Sequence, residues 1–103
     1  MKNYVYKDET VCLHISRYID NNNTAVCLST KEDEPFATLS VNIEKLRFGT
    51  FCVDTNNCPG AEKFLTENNI ATPTGDKFRS GFCEYPVYKL TDEVISTLCS
   101  DEN

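Results

Sequence analysis

The sequence predicts a single α+β domain over residues 1–103, with an antiparallel sheet of about four to five strands and two short helices packed on one face. Alternating apolar and polar residues, typical of half-buried strands, dominate the first half of the chain. The two segments with helical spacing are short and come later, so strands and helices do not alternate as in a parallel α/β fold. A length of 103 residues fits one domain.

Three strands are predicted in the first half. Residues 11–18 place Val11, Leu13 and Ile15 on one face, and residues 24–29 form a second apolar run. An Asp-Asn-Asn-Asn turn joins these two strands into a hairpin, because Asn and Asp tolerate a left-handed backbone. After a polar loop, residues 36–43 alternate most regularly of all, which completes a three-stranded meander.

A buried strand and the first helix are predicted next. Residues 50–54 form a short apolar run, followed by a helix through residues 61–65 with apolar side chains at i, i+3 and i+4 spacing. Pro59 suits the first helical turn, where its missing N–H costs nothing, so Asn57 or Cys58 is expected to cap the helix.

The remaining elements are a long loop, a strand and a final helix. Prolines and glycines punctuate residues 70–82, which predicts an extended loop. Residues 83–90 read as a strand with Pro86 at an edge or a bulge, because proline cannot donate to a central ladder. Thr91 caps the last helix. Its apolar stripe consists of Val94, Ile95 and Leu98.

Composition disfavours several classes of function. Sixteen acids against ten bases give a net charge of about −6, which disfavours direct binding to nucleic-acid phosphates. No apolar run is long enough to span a membrane, and the first residues lack the apolar stretch of a signal peptide. We therefore expect a cytoplasmic protein without membrane contact.

The six cysteines and the one histidine do not form a recognisable catalytic or metal-binding motif. No Cys-x-x-Cys pair occurs, and no glycine-rich phosphate loop is present, so we expect no metal and no cofactor. Most of the cysteines lie in apolar runs, which favours buried free thiols over disulfides in a reduced compartment. His14 lies in the middle of a strand with no neighbouring nucleophile marked by the sequence. We expect no catalytic residue.

Two polar segments instead suggest a binding surface. The first is the turn that precedes the first helix, and the second is the stretch around residues 79–88, where tyrosines follow an arginine. The tyrosines are three residues apart and so lie on opposite strand faces, which leaves at least one exposed, while Phe82 packs inward. Grouping these segments requires the turns at 54–59 and 75–81 to meet in space. The candidate binding residues are Asp54, Asn56, Asn57, Arg79, Ser80, Tyr85 and Tyr88.

The sequence also resembles a known family over residues 34–90. The motifs are Asp54-Thr55-Asn56-Asn57-Cys58-Pro59, followed by Ala61-Glu62 and Glu67-Asn68-Asn69-Ile70, then Pro73-Thr74-Gly75, then Ser80-Gly81-Phe82-Cys83-Glu84-Tyr85-Pro86-Val87-Tyr88. This set is similar to an uncharacterised bacterial domain family of unknown function that is found on conjugative transposons, plasmids and prophages of gut bacteria. The resemblance implies a mobile-element setting. Gly60 and Asp76 depart from the family, whose members often have Trp and a basic residue there.

These observations lead to three hypotheses. The first is a non-catalytic acidic binding protein of a bacterial mobile element, which modulates a host or defence protein with a basic surface. The second is a homo-oligomeric module, such as a homodimer, in which the Tyr85–Tyr88 strand lies at the edge of the sheet and pairs with the same strand of a second copy. The third is a small thiol-dependent enzyme using Cys58, whose pKa a helix N-terminus would lower.

Overall fold

The computed structural model describes residues 3–43 and 45–101, which form two four-stranded antiparallel sheets and two helices. The predicted α+β class is confirmed, although the strands belong to two sheets, β1-β2-β3-β4 and β5-β6-β8-β7. None of the helices in this part of the chain is long and apolar enough to cross a membrane. The elements are β1 (Asn3–Tyr6), β2 (Glu9–Arg17), β3 (Thr24–Thr30), β4 (Pro35–Thr38), β5 (Ser40–Val41), β6 (Thr50–Val53), α1 (Ala61–Glu67), β7 (Ala71–Ser80), β8 (Cys83–Leu90) and α2 (Asp92–Asp101).

The first sheet contains the predicted meander. β2 and β3 form the expected hairpin, with Leu13 opposite Leu28 and His14 opposite Cys27. β1 adds a fourth strand that the sequence did not reveal, because four residues are too few to show a period. Lys7 connects β1 to β2 in a left-handed conformation, with φ 52°. A turn of this hand matches the twist of the strands that it joins.

The prediction of one strand over residues 36–43 is wrong, because the chain changes sheets at Leu39. The Leu39 N–H donates to the carbonyl of Val26 in the first sheet at 2.8 Å. Its own carbonyl accepts from the Asp54 N–H, at the end of β6, also at 2.8 Å. The two sheets therefore meet at a fully buried leucine. Alternation continues across this residue, so the sequence period does not mark the corner.

The predicted loop over residues 70–82 is also wrong, since β7 occupies most of it and pairs with β8. The ladder between β7 and β8 contains a bulge around Gly75, where residues 74–76 of β7 lie opposite a single residue of β8, Val87. Gly75 in the middle of this bulge has φ 97°, a conformation that side chains disfavour. Pro86 lies beside the bulge, as predicted.

The main core lies between the two sheets and the helices. α1 contributes Phe64 and Leu65, and α2 contributes Val94, so both helices pack on one core as predicted. Cys52, Tyr85 and Val87 form a second, smaller cluster on the opposite face of the second sheet. That sheet is therefore covered on both faces.

The caps of the two helices differ from each other in chemistry. The predicted cap of α1 by Asn57 or Cys58 is wrong: Gly60 precedes α1 with φ 83° and no side-chain cap. Thr91 caps α2 as predicted, since its hydroxyl accepts from the Val94 N–H at 3.4 Å. The side chains of Leu98 and Cys99 lie outside the described residues.

Candidate functional site

The two predicted tyrosines lie on opposite faces of β8, but neither is exposed. Tyr85 packs in the small cluster and Tyr88 in the main core, with 9% and 4% of their surfaces accessible. The prediction of an exposed tyrosine is therefore wrong, because cover on both faces of a sheet depends on elements far away in the sequence. Burial, together with a hydrogen bond to Glu62, raises the pKa of Tyr88 to about 12.

β8 is also not an edge strand. It lies between β6 and β7, and β6 pairs with it at residues 87–89. The prediction that the Tyr85–Tyr88 strand is an edge of the sheet is therefore wrong. The same order places β8 between the end of β6 and β7. Because Tyr85 and Tyr88 are buried on opposite faces of β8, these two candidate residues do not share one surface.

Asp54 organises the first of the two predicted segments. Its carboxylate accepts from the Asn57 backbone N–H at 3.2 Å and from the Asn57 side-chain amide at 3.0 Å. Asn56 and Asn57 are exposed in this turn. The Asp54 charge acts on Tyr85, whose pKa is raised first by a hydrogen bond with Cys83, then by burial, and then by the charges of Cys83 and Asp54.

Cys58 does not provide an activated thiol. Burial raises its pKa, and the Asp54 carboxylate raises it further, while Lys7 opposes both effects. The thiol is 7% exposed and donates to the Thr38 carbonyl at 3.3 Å. The residue lies three positions before α1, away from the helix end that would stabilise a thiolate. These features oppose the thiol chemistry that the sequence suggested.

Arg79 and Ser80 belong to the tip of the β7–β8 hairpin, which we define as residues 79–83. Arg79 pairs with Glu84 and Ser80 with Cys83, so Gly81 and Phe82 form a two-residue turn. Gly81 has φ 64°, as in a turn that matches the strand twist. Phe82 is fully exposed, at 104%, so the prediction that it packs inward is wrong. Glycine followed by one residue between two strands is the signal that identifies this tip.

The sequence analysis did not predict that exposed acidic side chains would be grouped at one end of the first sheet. The β1–β2 turn and the β3–β4 turn lie at the same end, since Val11 pairs with Thr30. All the acids in these turns are exposed, and none forms an ion pair with another described residue. We call this set the acidic end. It consists of Asp8, Glu9, Glu32, Asp33 and Glu34.

His14 lies on the first sheet in a partly buried position, as predicted for a strand histidine. Its Nε2 lies 2.6 Å from the Ser29 hydroxyl. His14 and Cys27 line an open groove of about 520 Å³ that also borders β4. Within residues 3–43 and 45–101, no three His, Cys, Asp or Glu side chains are grouped so as to hold a metal ion. The described cysteines are free thiols.

Comparison with known proteins assigns the family. A family model for a domain of unknown function (DUF4313) matches residues 12–103. The chain belongs to this family. No curated protein matches, and no solved structure matches. The predicted resemblance to a domain family of unknown function is thereby confirmed at that level.

The DUF4313 match includes every candidate binding residue and most of both sheets. It begins within β2, so β1 and the acids Asp8 and Glu9 precede it. The acidic turn between β3 and β4, the hairpin tip and the groove all lie inside the DUF4313 region. These three features are the surfaces from which a function can be argued.

Proposed function

We propose that this DUF4313 domain is a non-catalytic binding protein that docks on a basic protein surface through its acidic end. The observation that carries the proposal is the grouping of five exposed carboxylates in and beside two adjacent turns, against two exposed lysines there, Lys7 and Lys31, with no ion pair between any of the five and another described residue. Neighbouring strands are about 4.8 Å apart, so the centres of the two turns are separated by about 10 Å. This spacing is close to one Debye length at physiological salt, so their potentials add.

One further contact links the strand before the β1–β2 turn with the predicted Asp54 segment. The Tyr6 hydroxyl donates to the Pro59 carbonyl at 3.2 Å. Asn56 and Asn57 are exposed in the turn that precedes Pro59 and offer polar groups to a partner.

The charge supports a protein partner with a basic surface. A concentrated negative field mainly accelerates encounter with a positive surface and sets orientation. Nucleic acid would be repelled by the same field. The resemblance to mobile-element proteins supports a host or defence protein as the partner, and a nucleic-acid-binding enzyme would carry a basic surface of this kind.

Affinity capture from a bacterial lysate, with identification by mass spectrometry, tests the proposal. The acidic-end variant is Glu32→Gln/Asp33→Asn/Glu34→Gln, in which Asn retains the left-handed backbone of Asp33 at φ 66°. The control variant, Asp20→Asn/Asp76→Asn/Glu84→Gln, removes three exposed acids elsewhere. Each variant replaces three carboxylates with amides and so changes the net charge from −6 to −3.

We expect one basic protein to be retained by the wild type and the control variant but lost by the acidic-end variant. Its retention should also fall steeply as salt rises, because exposed charges are screened. Equal loss with both variants would attribute capture to net charge alone. Retention by all three proteins would contradict docking through the acidic end.

A further inference from the structure

The hairpin tip presents an aromatic ring to solvent. Phe82 is fully exposed, whereas the neighbouring Tyr85 is buried against the small cluster. β6 pairs with β8 only at residues 87–89, so the outer part of the hairpin extends past the third strand. The two-residue turn, with Gly81 at φ 64°, therefore places the Phe82 ring in solvent beyond the end of β6. An exposed aromatic ring held in this way is suited to insertion into a pocket.

The groove beside β4 has the matching apolar character. Its exposed apolar lining consists of Pro35 and Phe36, beside His14, Cys27 and Thr38, while Leu28 and Ala37 pack with the main core. The Phe36 ring is 38% exposed and packs edge-on against Tyr6, with ring centroids 6.3 Å apart. The volume of about 520 Å³ lies in the range of ligand-binding clefts and exceeds that of a phenylalanine side chain.

Charges are complementary around the two features. Glu34 immediately precedes Pro35 at one end of the groove, is exposed, and has no ion pair with another described residue. Arg79 lies in the same hairpin tip as Phe82 and is also exposed; it stands opposite Glu84 in the ladder, without an ion pair between the two. A phenylalanine entering the groove from another molecule would bring a guanidinium group near this carboxylate, a pairing that favours bidentate hydrogen bonds.

We propose that the groove is occupied by Phe82 of a second copy of this chain. Phe82 fills the apolar part of the groove against Phe36, and Arg79 of the same copy pairs with Glu34. Each copy carries one ring and one groove, so reciprocal exchange closes a dimer and one-way exchange extends a chain. The contact area is small, which gives a weak, concentration-dependent association. This inference does not depend on the acidic end binding a foreign protein, because it concerns the purified chain alone.

Sedimentation velocity of the full chain between about 10 μM and about 1 mM tests this, since weak interfaces dissociate in that range. We expect the mean mass to rise with concentration. Phe82→Ala should weaken association about tenfold, as for a central interface residue. Ile19→Ala is the matched control, because Ile19 is 98% exposed at the β2–β3 turn and should leave association unchanged. Both changed residues are fully exposed, so folding is preserved, and circular dichroism verifies it.

A charge exchange locates the contact. Arg79→Glu and Glu34→Arg should each weaken association, and the double variant should restore it, which is the signature of a direct pair. In nuclear magnetic resonance spectra, dilution should shift the amide signals of Cys27 and Ala37 in the wild type but not in Phe82→Ala. A monomer at every concentration overturns the proposal and assigns the groove to another occupant. Association that persists unchanged in Phe82→Ala also overturns it.

Discussion

Replacing Leu39 with alanine should destabilise the whole domain, because this side chain lies where the two sheets join. Leu39 is fully buried in the main core, and its backbone bonds to both sheets at 2.8 Å. Removing a buried leucine to Cβ costs about 2–5 kcal/mol, from lost transfer energy and the cavity that remains. Alanine retains both backbone bonds, so we expect about 3 kcal/mol. For a domain of this size that corresponds to a fall in Tm of about 12–24 °C.

Urea unfolding followed by circular dichroism measures this loss as a lower midpoint with an unchanged slope. Ile19→Ala serves as the control, since an exposed leucine-sized side chain should contribute less than about 0.5 kcal/mol. A loss for Leu39→Ala no greater than that for Ile19→Ala would refute the corner packing. A reduced slope would mean that the two sheets unfold separately, contrary to one shared core.

Three further predictions follow from individual side chains. Tyr88→Phe removes the 2.9 Å hydrogen bond to Glu62 and should cost about 1 kcal/mol in urea unfolding at neutral pH. Because the pKa of Tyr88 is raised to about 12, its stabilising contribution is complete below pH 10 and is lost as pH rises through 12. Tyr88→Phe should therefore flatten this part of the alkaline unfolding profile. A profile equal to that of the wild type would contradict the raised pKa of Tyr88. Asn23→Ala should lower the free energy of unfolding by about 1–3 kcal/mol, because the buried Asn23 side chain accepts from the Leu46 N–H at 2.9 Å and donates to Asn42. A melting curve equal to that of the wild type would disprove this. Cys58 should react with iodoacetamide no faster than glutathione, by peptide mass mapping at neutral pH, because burial raises its pKa; faster reaction would revive thiol chemistry.

The strand pattern of the first sheet could be predicted because one face of each strand is buried. Val11 is buried, and Leu13 and Ile15 pack against the main core, so their alternation reports a real difference between faces. The same logic fails at Leu39, where alternation continues although the hydrogen-bond partners change from one sheet to the other. Hydrophobic period reports which face is buried, and it carries no information on the sheet to which a strand belongs.

The second sheet was harder to predict for a different reason. Pro73 and Gly75 indicate a loop by local preference, yet pairing with β8 holds them in a strand with a bulge. Tertiary contacts outweighed propensity there.

The candidate site was predicted in part. Asp54 and Asn57 do form a hydrogen-bonded polar turn, as their residue types indicated. Tyr85 and Tyr88 do lie on opposite faces, but their burial depends on residues from other strands and helices, such as Phe78 and Glu62. Phe82 was expected inside because aromatic residues are mostly buried, and only the two-residue turn explains its exposure.

β1 has a practical consequence for where the domain can be cut. A shortened chain beginning at residue 12, where the DUF4313 match starts, would lack the strand that covers the outer edge of β2. It would also lose Tyr4 and Tyr6, whose rings pack edge-on against Phe64 at centroid distances of 5.9 and 5.1 Å. The shortened chain would have an unpaired edge on β2 and a cavity beside Phe64, and this combination favours aggregation. Expression of the domain therefore needs the residues that precede the family match.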